Sequence, residues 1–241
     1  MHVSAAAFTI IFLTVVLGAS AQGSIGFGQN LIVVPVVALV LPAALPGTLV
    51  VSGVPLTALM VVREHEGVDR RTVAWVAAGR LPGTVLGVVI VATVSARLLG
   101  GLAGAVVLVA VAVSLVARTV PLTPVTESIA GAASGVMGTA AAIDGPPLAL
   151  LLQHHPGHRF RPTMAACFTV ATVMSVIALG LAGEISRDQL LLAVALMPGY
   201  LIGFAVSRPV TRALHGRDLR PIVLALVTVT GAAAVVKAIV G

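Results

Sequence analysis

The chain has 241 residues, 59% of them hydrophobic, 9% charged and 3% aromatic, with a net charge of +6 and a mean hydropathy of +1.13. A soluble domain carries about 25% charged residues, so this chain cannot cover its surface in water, and that excludes a soluble enzyme. All basic residues except Lys237 are arginines. Apart from Arg80 they stand in or beside short loops, where they set membrane orientation rather than hold nucleic acid.

Apolar segments follow one another at 4–21, 29–42, 47–62, 72–93, 98–117, 127–139, 143–153, 163–182, 188–207 and 219–240. Several reach the roughly 20 residues that a bilayer-spanning helix needs. The first ends in Ala19-Ser20-Ala21, which looks like a signal-peptide cleavage site. No lysine or arginine precedes it, as a signal peptide requires, so it reads as a retained membrane helix. Cys167 is alone, which rules out an intrachain disulfide and leaves a small packing residue.

The chain states one pattern twice. Gly23, Gly26 and Pro35 are echoed by Gly135, Gly138 and Pro147, and Pro82-Gly83 with Gly87 is echoed by Pro198-Gly199 with Gly203. The loop at 63–71 holds Arg63, Arg70 and Arg71; the loop at 208–220 holds Arg208, Arg212, Arg217 and Arg220. The positive-inside rule makes both cytoplasmic. Walking span by span from these loops puts residues 183–187 and Arg97 outside, and Arg118, Arg159 and Arg161 inside. Both ends of segment 127–153 then lie inside, so it must enter and return, broken at Asp144-Gly145-Pro146-Pro147. Its arms span roughly 17–20 Å at helical rise, short of a hydrocarbon core of about 30 Å. Residues 4–42 form the matching hairpin from the opposite face, or two full short spans.

The expected architecture is an all-α polytopic membrane protein of 8–10 membrane segments. It is one integral membrane domain of two inverted repeats, 1–118 and 119–241, each a broken, re-entrant hairpin plus three transmembrane helices. An odd number of spans per repeat inverts the second copy, an arrangement found in many secondary transporters. Both termini fall outside, and the site falls where the broken hairpins meet.

The hairpin turns carry Gln22, Gly23, Gly26, Gly28, Gln29 and Asn30 in one half, and Thr139, Asp144 and Gly145 in the other. Helices that begin there present unpaired N–H groups, a ready anion site. Against this stands the reading that the glycines only permit close helix packing. Arg80 lies deep in its span, where a charge costs at least about 2.5 kcal/mol and demands a partner. Either it is an anion ligand with Asp144 as proton carrier, or the two are a structural ion pair. Ser52 and Thr169 start corresponding helices and offer hydroxyls to a substrate, or to their own backbone. His154, His155 and His158 with no carboxylate beside them read as a hydrated loop rather than a metal site. Glu64, His65, Glu66 and Asp69 read as solvated loop charges. Glycines spaced by four, such as Gly79, Gly83 and Gly87, read as close-packing faces, with room for a homodimer contact.

The order of glycine-rich turn, apolar stretch with proline and hydroxyl-bearing helix start resembles the TauE/SafE family of sulfite and organosulfonate exporters. The residues that carry it are Gly23 to Asn30 through Pro35 with Ser52, and Gly135 through Pro147 with Thr169. Gln29, Asn30 and Ala140 to Ala142 stand where the family is richer in glycine. The resemblance implies a secondary carrier for small anions, using the proton gradient, in the cytoplasmic (inner) membrane. Substrate-binding candidates are Gly26, Gly28, Gln29, Asn30, Ser52, Arg80, Thr139, Gly145 and Thr169, with Asp144 for proton coupling. No catalytic residue, cofactor or metal is expected, and the partners are the anion and the bilayer. An anion channel, an intramembrane enzyme or a non-transporting membrane subunit remain the alternatives.

Overall fold

The computed structural model describes residues 3–116, 120–153, 155–213 and 220–240. Of the sequence-level readings, those on Arg118, His154 and Arg217, and on the side chains of Arg212 and Arg220, lie outside the described residues. Helices α1 (Ala5–Ile25) and α2 (Gln29–Val40) pack side by side, as do α7 (Pro124–Ala141) and α8 (Gly145–Leu152). Between these pairs come α3 (Gly47–Ser52), α4 (Val54–Arg63), α5 (Arg70–Thr93) and α6 (Ala96–Val116); after them come α9 (Gly157–Leu181), α10 (Arg187–Ala213) and α11 (Arg220–Val240). No strand occurs among the described residues. Helices α1, α5, α9 and α10 are each long and apolar enough to cross a membrane.

Two boundaries depart from the sequence pattern for identifiable reasons. The segment expected at 47–62 is split between α3 and α4 at Gly53, because Pro55 lies in the first turn of α4. A proline there has no N–H to give the carbonyl four residues back and crowds it. Helix α7 starts earlier than expected because Thr123 and Thr126 form a reciprocal capping box around Pro124, the position at which proline suits a helix start.

Packing is set by small residues. Helix α5 lies most closely on α7, and α1 on α10. A Cβ added at Gly79 would strike the Ser128 carbonyl, at Gly83 that of Ala132, and at Gly131 that of Val76; at Gly135 it would come 2.7 Å from the Arg80 carbonyl. Such faces bring backbones together where lipid supplies no hydrophobic drive between helices. The glycines spaced by four on α5, α7 and α10 thus serve contacts inside the bundle. Gly83→Ala is expected to destabilise by about 1–3 kcal/mol through overpacking. Gly180→Ala, where a Cβ meets nothing within 4 Å, should stabilise through helix propensity by up to about 1 kcal/mol. Thermal unfolding in detergent checks both signs.

The outward faces carry Leu13 and Leu17 of α1, Leu81, Val85 and Val89 of α5, and Ile177 and Leu181 of α9, all exposed. A continuous apolar exterior of this extent marks a lipid-facing surface.

Candidate functional site

Two turns converge inside the bundle. The first is Gly26-Phe27-Gly28 between α1 and α2. Gly26 (φ 102) closes α1, its N–H donating to the Gln22 carbonyl at 2.7 Å, and Gly28 (φ 106) opens α2. Side chains avoid that left-handed backbone, so glycine is required at both corners. The second turn runs from Ala142 to Asp144, with Ala142 also left-handed at φ 58. Asn30 Nδ2 donates to the Ala142 carbonyl at 2.6 Å and ties the two turns together.

A cavity of about 40 Å³ opens between them. A single water takes roughly 10–15 Å³ on that measure, so the space suits a few waters or one compact anion. Gly28, Gln29 and Asn30 line it from one turn, and Asp144 and Gly145 from the other. Arg80 of α5 lines it too, as do Thr57, Phe168, Thr172 and Ser175.

Arg80 is 1% exposed. Its Nη1 donates to Ser134 Oγ at 2.7 Å and its Nη2 to Ser175 Oγ at 3.0 Å. Nη2 stands 3.9 Å from Asp144 Oδ2, an ion pair without a hydrogen bond. Nε has no hydrogen-bond partner. Ser134 Oγ also donates to the Asp144 carbonyl at 3.1 Å, and Thr139 Oγ1 shares a hydrogen bond with Ser175 Oγ at 2.8 Å. The guanidinium is therefore held by hydroxyls, beside a carboxylate it does not grip. A fixed cation with Nε unpaired, at the wall of a small cavity, is chemically suited to an anion.

Of the residues singled out from sequence, Gly28, Gln29, Asn30, Arg80, Asp144 and Gly145 come together around the cavity. Thr139 stands behind it, against Ser175. Gly26 turns beneath Phe160 and Arg161. Ser52 Oγ donates to the Thr48 carbonyl at 2.7 Å and to Tyr200 Oη at 3.1 Å, and Thr169 Oγ1 donates to the carbonyls of Ala165 and Thr57. Neither hydroxyl reaches the lining. Sequence reasoning passed over Ser134, Thr172 and Ser175. Phe168, Thr172 and Ser175 share one face of α9 at i, i+4 and i+7, and those hydroxyls in an apolar helix are the signal that could have found them.

A second polar cluster holds the first turn from outside the cavity. Glu64 pairs with Arg161 through a short contact and with Arg63 at 3.0 Å. Arg63 Nη2 donates to the Gly23 carbonyl at 2.5 Å, and Arg161 Nη1 to that of Ser24 at 2.7 Å, so two arginines close the open carbonyls of α1. The Arg63 guanidinium also lies 4.1 Å from the ring centre of Phe204. Glu64 is thus a structural partner rather than a solvated loop charge, and Asp69 caps α5. Burial alone would raise the Glu64 carboxyl, but Arg161 and then Arg63 outweigh it and hold it below its ordinary 4.5. A depressed carboxyl stabilises the fold above the ordinary value and ceases to as pH falls through the lowered one. Glu64→Gln should therefore lose about 1–2 kcal/mol at neutral pH, Arg161 being a third exposed. The gap from wild type should close below about pH 4.5 in a thermal unfolding series.

Among the described residues, no group of three or more histidine, cysteine or acidic side chains is placed to hold a metal ion. No curated protein and no solved structure matches the sequence. The family described as sulfite exporter TauE/SafE does match, over residues 10–234. With nearly the whole sequence matched, and with turns, cavity and apolar exterior arranged as above, the chain belongs to the TauE/SafE sulfite exporter family of integral membrane transporters.

Proposed function

We propose that the protein is a secondary carrier of a small anion of the sulfite or organosulfonate class. It would move that anion across the cytoplasmic membrane by alternating access, coupled to protons at Asp144. The observation that carries this reading is the junction of the two turns, Asn30 Nδ2 on the Ala142 carbonyl at 2.6 Å, beside a cavity that both Arg80 and Asp144 line. Irregular backbone within a membrane bundle persists where it lines a cavity. A sealed junction with Arg80 locked onto Asp144 would instead have suited a structural ion pair, and the separation of 3.9 Å speaks against that.

The order of packing supports two inverted repeats. Helix α5 on α7 is answered by α10 on α1, while α4 meets α9 and α6 meets α11. If residues 1–118 and 119–241 are related by a two-fold axis in the membrane plane, every one of these contacts is either reciprocal or between counterparts. Each half is then a broken hairpin plus three spans, with a leading arm, α1 or α7, longer than the sequence segments suggested, and both termini face outward. In this scheme the amides of Gln29 and Asn30 orient the anion, Arg80 supplies its counter-charge, and Asp144 carries the proton. The halves rock about the junction.

The test is flux in proteoliposomes of the purified protein, loaded in turn with sulfite, sulfoacetate, taurine and simple carboxylates, with and without a pH gradient. Saturable movement of one anion class, accelerated by the gradient, is the expected result. Folded protein that moves none of them would return the chain to the enzyme or subunit alternatives.

A further inference from the structure

Among the described residues two aspartates begin helices, and they behave differently. Asp69, at the start of α5, turns its carboxylate onto the N–H groups of Arg71 and Thr72 at 3.1 and 3.2 Å, the ordinary duty of an N-cap aspartate. Asp144 holds the same position in α8 and makes no capping bond. The next residues explain the difference. Gly145, Pro146 and Pro147 are the first three of the helix, so the two groups that would cap onto the carboxylate are prolines and have no N–H. Without those donors, the Asp144 side chain lines the cavity, 3.9 Å from Arg80. Arg80 for its part is held by Ser134 and Ser175 and keeps Nε without a partner.

We infer that Pro146 and Pro147 are positioning residues for Asp144: by deleting the capping donors of α8 they keep its carboxylate available to the cavity, where it can take up and release a proton. The inference rests on the proton-coupling role proposed for Asp144. It divides the work between the two turns. The α2 turn, with Gln29 and Asn30, is rich in amides and has no ionisable group. The α8 turn lacks N–H donors at its second and third helical positions and carries the carboxylate. Helix initiation alone does not account for the pair, since one proline at the first helical position already suits a helix start, and here they occupy the second and third.

Few charges bear on Asp144. Arg80 from α5 stands 3.9 Å from it, and the thiol of Cys167 on α9 is buried and does not line the cavity. Gln22, Gln29 and Asn30 from α1 and α2 are neutral, Glu127 stands at the far end of α7, and Arg97 at the start of α6 is the one ionisable residue of that helix.

The experiment is an infrared difference titration of the full protein in lipid nanodiscs from about pH 4 to 9. It follows the protonated-carboxyl band that disappears in Asp144→Asn. Wild type is compared with Pro146→Ala, Pro147→Ala and the double variant. Restored N–H groups bond to the charged form and favour it. The double variant should titrate about one pH unit lower, the scale of one N-cap interaction, and each single variant less. Thermal unfolding confirms that each variant folds. Prolines that merely rigidify the turn would change that midpoint and leave the titration where it was, which would overturn the inference. Failure of the carrier reading looks different. Binding of methanesulfonate, whose charge is fixed over this range, would then be independent of pH in wild type and in Asp144→Asn alike. The infrared band would still report whether the prolines govern Asp144.

Discussion

Arg80→Ala should abolish anion binding and leave the bundle folded. The guanidinium is 1% exposed and lies at the wall of the cavity, so its interaction with a bound anion is little screened by water. Removing one partner of a buried, hydrogen-bonded charge pair typically costs 2–5 kcal/mol, and each 1.4 kcal/mol is tenfold in affinity. A loss of at least about 30-fold follows. A ligand at 100 times its Kd stabilises a protein by about 2.7 kcal/mol, so an anion that raises the unfolding temperature of wild type should raise that of the variant far less. Arg80→Lys separates charge from shape. It keeps the cation but cannot span Ser134 and Ser175 as the fork does. It should fall between wild type and alanine. Undiminished binding in folded Arg80→Ala would remove Arg80 from the site and leave the turns to carry it alone.

Arg80 was legible in the sequence because a charge inside an apolar span has few explanations, and Asp144 for the same reason. The membrane helices were legible because runs of apolar residues are long and their ends are marked by arginine, glycine and proline. Their packing order was foreshadowed by the repeated glycines, since close backbone approach needs residues without side chains at fixed intervals. What the sequence could not settle was where hydroxyls point. Ser52 ends α3 and Thr169 lies midway along α9 rather than at corresponding helix starts, and each donates to a carbonyl of its own preceding turn, an option open to any serine or threonine in an apolar helix. Ser134 and Ser175 look no different in sequence and hold the guanidinium. Their role depends on α7 and α9 bracketing α5, a tertiary fact with no local signature. Glu64 is similar: a loop charge until Arg161, nearly a hundred residues on, is brought beside it. Asn30 and Ala142 form the link between the turns, a contact across more than a hundred residues that no local pattern announces.

Asp144→Asn should uncouple the carrier without emptying it. Asparagine keeps the size and polarity of the side chain beside Arg80 but cannot exchange a proton, so the variant resembles wild type fixed in its protonated form. An ionised Asp144 and a bound anion would share a cavity of about 40 Å³. Two like charges about 4 Å apart repel by roughly 4 kcal/mol at an effective dielectric near 20. Occupancy by the anion thus requires the proton to be present, and that mutual requirement is the coupling. In the variant, anion affinity at pH 8 should rise at least tenfold and lose its dependence on pH. Exchange of anion for anion across a proteoliposome membrane should persist, while accumulation driven by a pH gradient should cease. Arg80 keeps its hydroxyl partners, so the fold should survive. The carboxylate's absence is then read in the driving force alone. A variant that still accumulates anion against its gradient would place the proton on another group. Glu127 would be the first to examine, being buried on α7 with one carboxylate oxygen accepting from Thr72 and the other without a partner.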